Sequence, residues 1–527
     1  MIFIDRWTGR EAVALQRAMR LTNEGFAQHL GMATRTVAGW HARPERVVVP
    51  VTQSILDTAL HQAEEAVQTR FRHVLDNVLG AAPGSAHISS VMAEAEERLT
   101  SDPDVAAALT WLDRCTDADV GSSRAKVTDR LTALDHGSLH DRAYRRGRIQ
   151  RGELATALSI YYRLGAGHHR AYSAKCADDL LETTVLTTPE WLDISQPVAS
   201  ETSRFSLSGL HQEARQPLPA FVASAAVERL TEVVAHRTKL VNAPIYRLLG
   251  HRICQERVEA AFALAEFVEY ALTMDLLEWE LVDALIDGRE VAPGSLPLRD
   301  HYLGDVSAVL ATQRRLCVGG PVALCAFARP GRMSRGSPPD YVLLVQERGK
   351  NVLNSARRLA VIPKAFHGPL VDYGEDAHVA ATLEREMEEE LFGRSDVDST
   401  MGHMRHADPI HPNRLSPPMR WLSEHPDHWR MEHTGFGINL ISGNFEFGTL
   451  IVVEDEDWWT LFGGDIQANW ESSGLRRYSS LDRPGLAGLA GEPSWSNEGL
   501  FALLQGFRRL SEIGGARVDM PSIEVRL

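Results

Sequence analysis

The chain has 527 residues, of which 44 % are hydrophobic and 24 % charged, with a formal net charge of −15 and five cysteines. That balance excludes a largely disordered chain, which would be poorer in apolar residues. No run approaches the ~18 apolar residues of a membrane span, so no membrane partner is expected. At about 100–200 residues per domain the length suggests three or four domains. Cys115, Cys176, Cys254, Cys317 and Cys325 are few and scattered, which predicts neither a disulfide framework nor a Cys-x-x-Cys metal site. They point to a reducing, cytoplasmic compartment, and residues 1–6 lack the basic and apolar regions of a secretory signal.

The charge is uneven. Residues 1–50 carry seven arginines against four acids, a balance of +3, which leaves −18 on the remainder. A small basic module therefore precedes a large acidic body. Its helices are expected to open at Thr8 or Gly9, at Thr22/Asn23 and at Ala33/Thr34. Leu15, Met19, Phe26, Ala27, Leu30, Met32, Val37 and Trp40 form one apolar set, and Gly31 stands where a helix needs a left-handed terminal residue. The next helix begins three residues later, the tight spacing of a helix-turn-helix. Thr34, Arg35, Thr36 and Gly39 fall on its exposed side. Arginine and hydroxyl side chains suit base edges and phosphates in a major groove, and Gly39 permits close backbone approach.

Residues 8–65 resemble the Xre/Cro-type (lambda-repressor-like) helix-turn-helix family, through the Phe26-Ala27 and Leu30-Gly31 core, the Val37/Trp40 pair and the hydroxyl-rich third helix. The resemblance implies an all-α DNA-binding domain over 1–79, with Asn23, Thr34, Arg35, Thr36 and Gly39 contacting double-stranded DNA. It departs at Asn23, where the family often has Gln. A module this small makes limited groove contact, so a homodimer reading two half-sites is expected.

Helical spacing continues from Val51 to Val78, and Gly80–Ser85 marks a linker. Residues 86–300 read as a mainly helical middle region. The wide apolar faces of Val227–Val234 and Phe262–Leu285 suit either a dimer interface or a helical core. After about residue 305 the texture changes. Strands are expected at Leu316–Phe327, Tyr341–Gln346, Leu359–Ile362, Gly435–Ile441 and Phe445–Val453. Helices are expected at Ala377–Leu391 and Asn497–Leu510. Strands mixed with helices give an α/β domain over 305–527.

Within it, Glu386, Glu389 and Glu390 are spaced to share one helix face. Such a cluster is either a solvated acidic helix face or a set of hard oxygen ligands suited to Mg²⁺. Arg385-Glu-Met-Glu-Glu-Glu390 resembles the core of the Nudix box, and the strands around it resemble the Nudix sheet over 310–510. The flanks depart: Ala377 stands for the upstream Glu, Val371 for the upstream Gly, and Gly393 comes one residue after the expected position at Phe392. The resemblance implies metal ligation by Glu386, Glu389 and Glu390. It also implies a nucleotide-like, phosphorylated ligand held by Lys364, Phe366, His367 and Arg385. Register slips spoil catalysis before binding, which favours a ligand sensor. The alternative is a Mg²⁺-dependent hydrolase of a nucleoside diphosphate derivative, with Glu389 in the catalytic role.

The run His403, His406, Asp408 and His411 reads as loop histidines rather than a zinc site, and Trp458, Trp459, Trp470, Tyr478 and Trp495 as core or interface. The whole reads as a multidomain transcriptional regulator: a helix-turn-helix, a helical middle and a Nudix-like ligand sensor.

Overall fold

The structure is a computed structural model and describes residues 7–44, 46–63, 67, 70–71, 95–134, 136–164, 167–199, 203–208, 217–331, 336–349, 357–394, 414–467 and 472–527. The chain divides into two compact units, residues 1–95 and 96–527. Among the described residues no helix is long and apolar enough to cross a membrane.

The first unit is helical. Its helices are α1 (Gly9–Met19), α2 (Asn23–His29), α3 (Thr34–Ala42) and α4 (Pro50–Gln62). Local chemistry sets their ends. Thr8 caps α1 in a reciprocal box with Glu11, and the Thr22 side chain accepts the Gly25 N–H at the start of α2. Gly31 takes the left-handed conformation (φ 65°) that ends the turn after α2. Leu15, Phe26, Ala27, Leu30, Val37 and Trp40 are buried together, and Met19 and Met32 pack at the margin. Trp7 closes the core by stacking on Phe71 and donating its indole N–H to Asp57 at 2.7 Å.

The second unit is built on two sheets. Its strands are β1 (Arg170–Cys176), β2 (Asp179–Thr187), β3 (Ser203–Leu207), β4 (Pro244–Cys254), β5 (Arg257–Glu266), β6 (Gly319–Arg329), β7 (Asp340–Arg348), β8 (Leu359–Val361), β9 (Trp429–Asn439), β10 (Phe445–Val453), β11 (Ser472–Ser479) and β12 (Ile523–Arg526). The large sheet runs β11-β7-β6-β10-β9-β2-β1-β12, with β8 also on β7; the small one runs β3-β5-β4. In the large sheet β10 and β6 pair in parallel and the other pairs are antiparallel. The small sheet is tied to the large one through backbone bonds from Tyr246 to His367 and from Leu248 to Cys317.

The expected strands after residue 305 are present, and β6, β7 and β10 are buried along almost their whole length, as near-continuous apolar runs require. Among the described residues the middle region is mostly helical, as expected, but it also supplies strands to both sheets. Residues 170–266 contain β1 to β5, and β2 pairs with β9 while β1 pairs with β12. There is no break at 305, because strands from the middle region complete the sheet. The apolar face of Val227–Val234 lies in the helix Ala220–Ala235 and is buried within this unit, while Phe262 belongs to β5. Helix Asn497–Ile513 packs its Leu500, Phe501, Leu504 and Phe507 against one sheet face.

One irregularity shapes the site. β11 occupies one edge of β7 over Val342–Arg348. The other edge is shared: β6 takes Asp340–Leu343 and β8 takes Val345–Glu347. The sheet therefore forks beyond Leu343. The segment after β8 crosses to β6, with Ala323 N–H donating to Pro363 O (2.9 Å) and His367 N–H to Gly319 O (2.7 Å).

Candidate functional site

In the first unit, Val37 and Trp40 anchor α3, with Trp40 set edge-on to Phe26 at 6.3 Å. Because helical positions turn 100° apart, Thr34, Arg35, Thr36 and Gly39 are left on the solvent side, and all four are exposed. No atom lies within 4 Å of where a Gly39 Cβ would stand. Asn23 is half-buried: its Oδ1 accepts from Gln16 Nε2 at 2.8 Å, and Gln16 Oε1 in turn accepts from His41 Nε2 at 2.8 Å. Asn23 thus braces α1, α2 and α3 together through a largely buried glutamine.

In the second unit, the fork opens into a cavity of about 330 Å³. Gly319 and Gly320 make part of its floor. A Cβ on Gly320 would meet Ala365 O at 2.1 Å, so only glycine lets the Lys364–His367 segment lie so close. Lys364, Phe366, Arg385, Glu386 and Glu389 all line the cavity, as expected from the sequence. Phe366 packs on Phe267 and Tyr270, at 5.2 and 4.9 Å, forming an aromatic wall. Arg385 donates to Gly368 O at 3.0 Å and to Glu386 at 3.2 Å.

His367 is not a ligand-facing residue. It is fully buried, its Nε2–H donates to Ala377 O (2.9 Å), and its Nδ1 accepts from Thr382 (2.7 Å). Burial pushes its pKa down to about 3, so it stays neutral between Tyr246 and Phe262. The segment alternates, which sends Lys364 and Phe366 into the cleft and His367 into the core.

The three glutamates do not share one face either. The helix Val379–Glu386 passes into a π-turn at Met387–Leu391, and that changes the angular step between residues. Glu386 and Glu389 reach the cavity, while Glu390 turns behind Lys364 and accepts its backbone N–H at 2.8 Å. Glu388 accepts from Ser416 N at 2.7 Å. Among the described residues no three acidic, histidine or cysteine side chains gather as a metal-binding group. Of the three glutamates, Glu386 and Glu389 line the cavity, and Glu386 is also paired with Arg385 at 3.2 Å. His403, His406, Asp408 and His411 lie outside the described residues, as does Trp470. Trp458 is a core residue stacked on Phe327 at 4.8 Å.

Several cleft residues carry no local sequence signal. Glu498, at the start of the last helix, meets the Lys364 ammonium and accepts from Asn439 at 3.3 Å. Burial opposes its ionisation, but Lys364 outweighs that and holds its pKa at about 2. Glu446, fully enclosed on β10 beside Glu498, is pushed well above the carboxylate range by burial and by that neighbouring charge. Glu278 rises to about 7, through burial and the charges of Asp275 and Glu498. Arg151, Arg348 and Arg358 also line the cavity. The half-open cavity thus gathers many opposed charges. No protein-family model matches the chain, and no curated protein matches it in sequence.

Proposed function

We propose that this protein is a sequence-specific DNA-binding regulator whose DNA affinity is set by a small phosphorylated ligand held in the forked-sheet cleft. One observation carries the reading. Thr34, Arg35, Thr36 and Gly39 share the open side of α3, while Val37 and Trp40 fix its other side in the core. A rigid helix with arginine, hydroxyls and a bare backbone on one side suits a major groove. Two such modules in a homodimer would read two half-sites. The cleft supplies the sensor: cations and an aromatic wall for a nucleotide-like ligand. A ligand that binds one conformation better shifts DNA affinity by linkage.

The test is selection of bound duplexes from a random pool with the full chain, followed by binding at several salt concentrations. A consensus sequence, and affinity that falls steeply with salt, support the reading. Retention of all sequences alike overturns it. The hydrolase alternative keeps one supporting observation, that Glu386 and Glu389 both face the cleft. There a Mg²⁺ ion held by the two would polarise a phosphate. Turnover of a nucleoside diphosphate derivative with Mg²⁺, lost in Glu389→Gln, would make the protein an enzyme.

A further inference from the structure

Arg151 opens the helix Arg151–Tyr162, well outside the stretch that resembles a Nudix domain. It is buried, with 7 % of its surface accessible, yet it lines the cleft. Its Nε and Nη1 are enclosed and have no hydrogen-bond partner among the described residues. A guanidinium left so is costly, since a buried charge demands hydrogen bonds or a counter-charge.

Two more arginines line the same cavity, and Arg358 stands there within reach of the charges of Glu278, Glu498 and Glu153. Arg348 and Arg358 face each other across the β7–β8 pair, with Arg348 N–H donating to Arg358 O at 2.9 Å, and both line the cleft. Arg358 reaches the start of the Arg151 helix, where its guanidinium donates to Ile149 O. Burial pulls the Arg151 pKa down to about 10, Glu182 works against that, and Arg358 adds repulsion. The backbone is drawn tight here too: Arg357, a non-glycine residue, takes a left-handed φ of 61°.

We propose that Arg151, Arg348 and Arg358 form an oxyanion subsite that takes the phosphoryl group of a small ligand. Three guanidiniums suit a dianion better than a carboxylate, and planar forks match its oxygens. The half-open cavity of about 330 Å³ has room for a small phosphorylated molecule. The subsite rests on the cleft being a ligand site. It adds a consequence: an anion there ties the helix Arg151–Tyr162 to the fork of the sheet.

The experiment titrates the full chain with inorganic phosphate, sulfate and acetate at matched ionic strength, by calorimetry and thermal unfolding. Phosphate and sulfate should bind saturably and more tightly than acetate. Arg151→Gln and Arg358→Gln should each weaken phosphate by about tenfold to a hundredfold, with Arg151→Lys intermediate. The exposed Arg483→Gln should bind as wild type does. Phosphate binding equal in wild type and in folded Arg151→Gln and Arg358→Gln overturns the subsite. If a nucleoside diphosphate derivative binds but is indifferent to both arginines, the subsite falls and the cleft reading stands. If neither it nor phosphate binds, both fall.

Discussion

Lys364→Met tests the charge arrangement of the cleft most directly. The Lys364 ammonium meets Glu498, and their side chains are 17 % and 6 % exposed. Glu446 lies fully buried beside them. Removing the lysine leaves two neighbouring carboxyl groups without that cation. Breaking one side of a buried pair costs about 3–5 kcal/mol, and the partial exposure of Lys364 places this case toward the lower end. The second unit spans 96–527, that is 432 residues. At about 2.1 cal/mol/K per residue its unfolding entropy is about 0.9 kcal/mol/K, so its Tm should fall by about 3–6 °C.

The pH dependence gives a second readout. In the wild type Glu498 titrates near 2, below its ordinary 4.5. Its contribution is present above about 4.5 and is lost as pH falls toward 2. In Lys364→Met burial is opposed only by the hydrogen bonds from Ser496 and the helix backbone, so the Glu498 pKa rises and the stability lost on acidification shrinks. Scanning calorimetry of the full chain at neutral pH and at about pH 4 measures both effects. Adding Glu498→Gln should recover much of the loss, since no ionised partner remains. An unchanged Tm and acid limb, or a double variant as weak as the two single losses added together, would refute the reasoning.

Arg35→Ala should weaken the selected duplex by about 1–3 kcal/mol while sparing non-specific DNA, as read by anisotropy titration; equal loss on every sequence would mean that Arg35 contacts phosphate alone. Arg229→Met should cost about 3–5 kcal/mol, because it strands the buried Asp275 that accepts from Arg229 at 2.6 and 3.1 Å; Arg229→Met with Asp275→Asn should be more stable than the single variant, by urea unfolding. Gly320→Ala should lower the Tm and abolish phosphate binding, since its Cβ would lie 2.1 Å from Ala365 O; a normal Tm would contradict the close approach. Sulfate affinity should rise as pH falls through about 7, where Glu278 takes a proton among Asp275, Glu498, Arg358 and Arg229, and Glu278→Gln should flatten that slope; a slope unchanged in the variant assigns it to another group.

The first unit was legible because its signals are local. Thr8, Thr22 and Gly31 mark helix ends within a few residues, and the apolar period places Phe26, Val37 and Trp40 inward. β6, β7 and β10 were legible as unbroken apolar runs. The hairpin β4–β5 was not. Its connection is Gln255-Glu256, without the Gly or Asn that marks two-residue turns, and Ala260, Ala261, Ala263 and Ala265 favour helix when read alone. Pairing with β3 and the cover of Phe205 and Tyr246 override that preference. In the cleft, Lys364, Phe366 and Arg385 could be read from the box and the strand before it. Arg151, Glu278, Glu446 and Glu498 come from four distant segments that only tertiary structure joins. His367 was misplaced because a two-residue alternation, rather than proximity to Lys364, decides which way it points.

The pairing of β2 with β9 has a consequence for how the chain is made. Leu186 finds its partner at Ile438, about 250 residues later. At about 5–20 residues per second, a ribosome takes roughly 10–50 s to supply it. Through that interval the β1–β2 hairpin has an edge with no strand to pair, carrying Val185 and Leu186, which are buried in the finished sheet. Such an edge invites contact with other nascent chains. The slow step in maturation should therefore be the capture of an early hairpin by a late strand, and crowding of ribosomes on one message is where misassembly would begin.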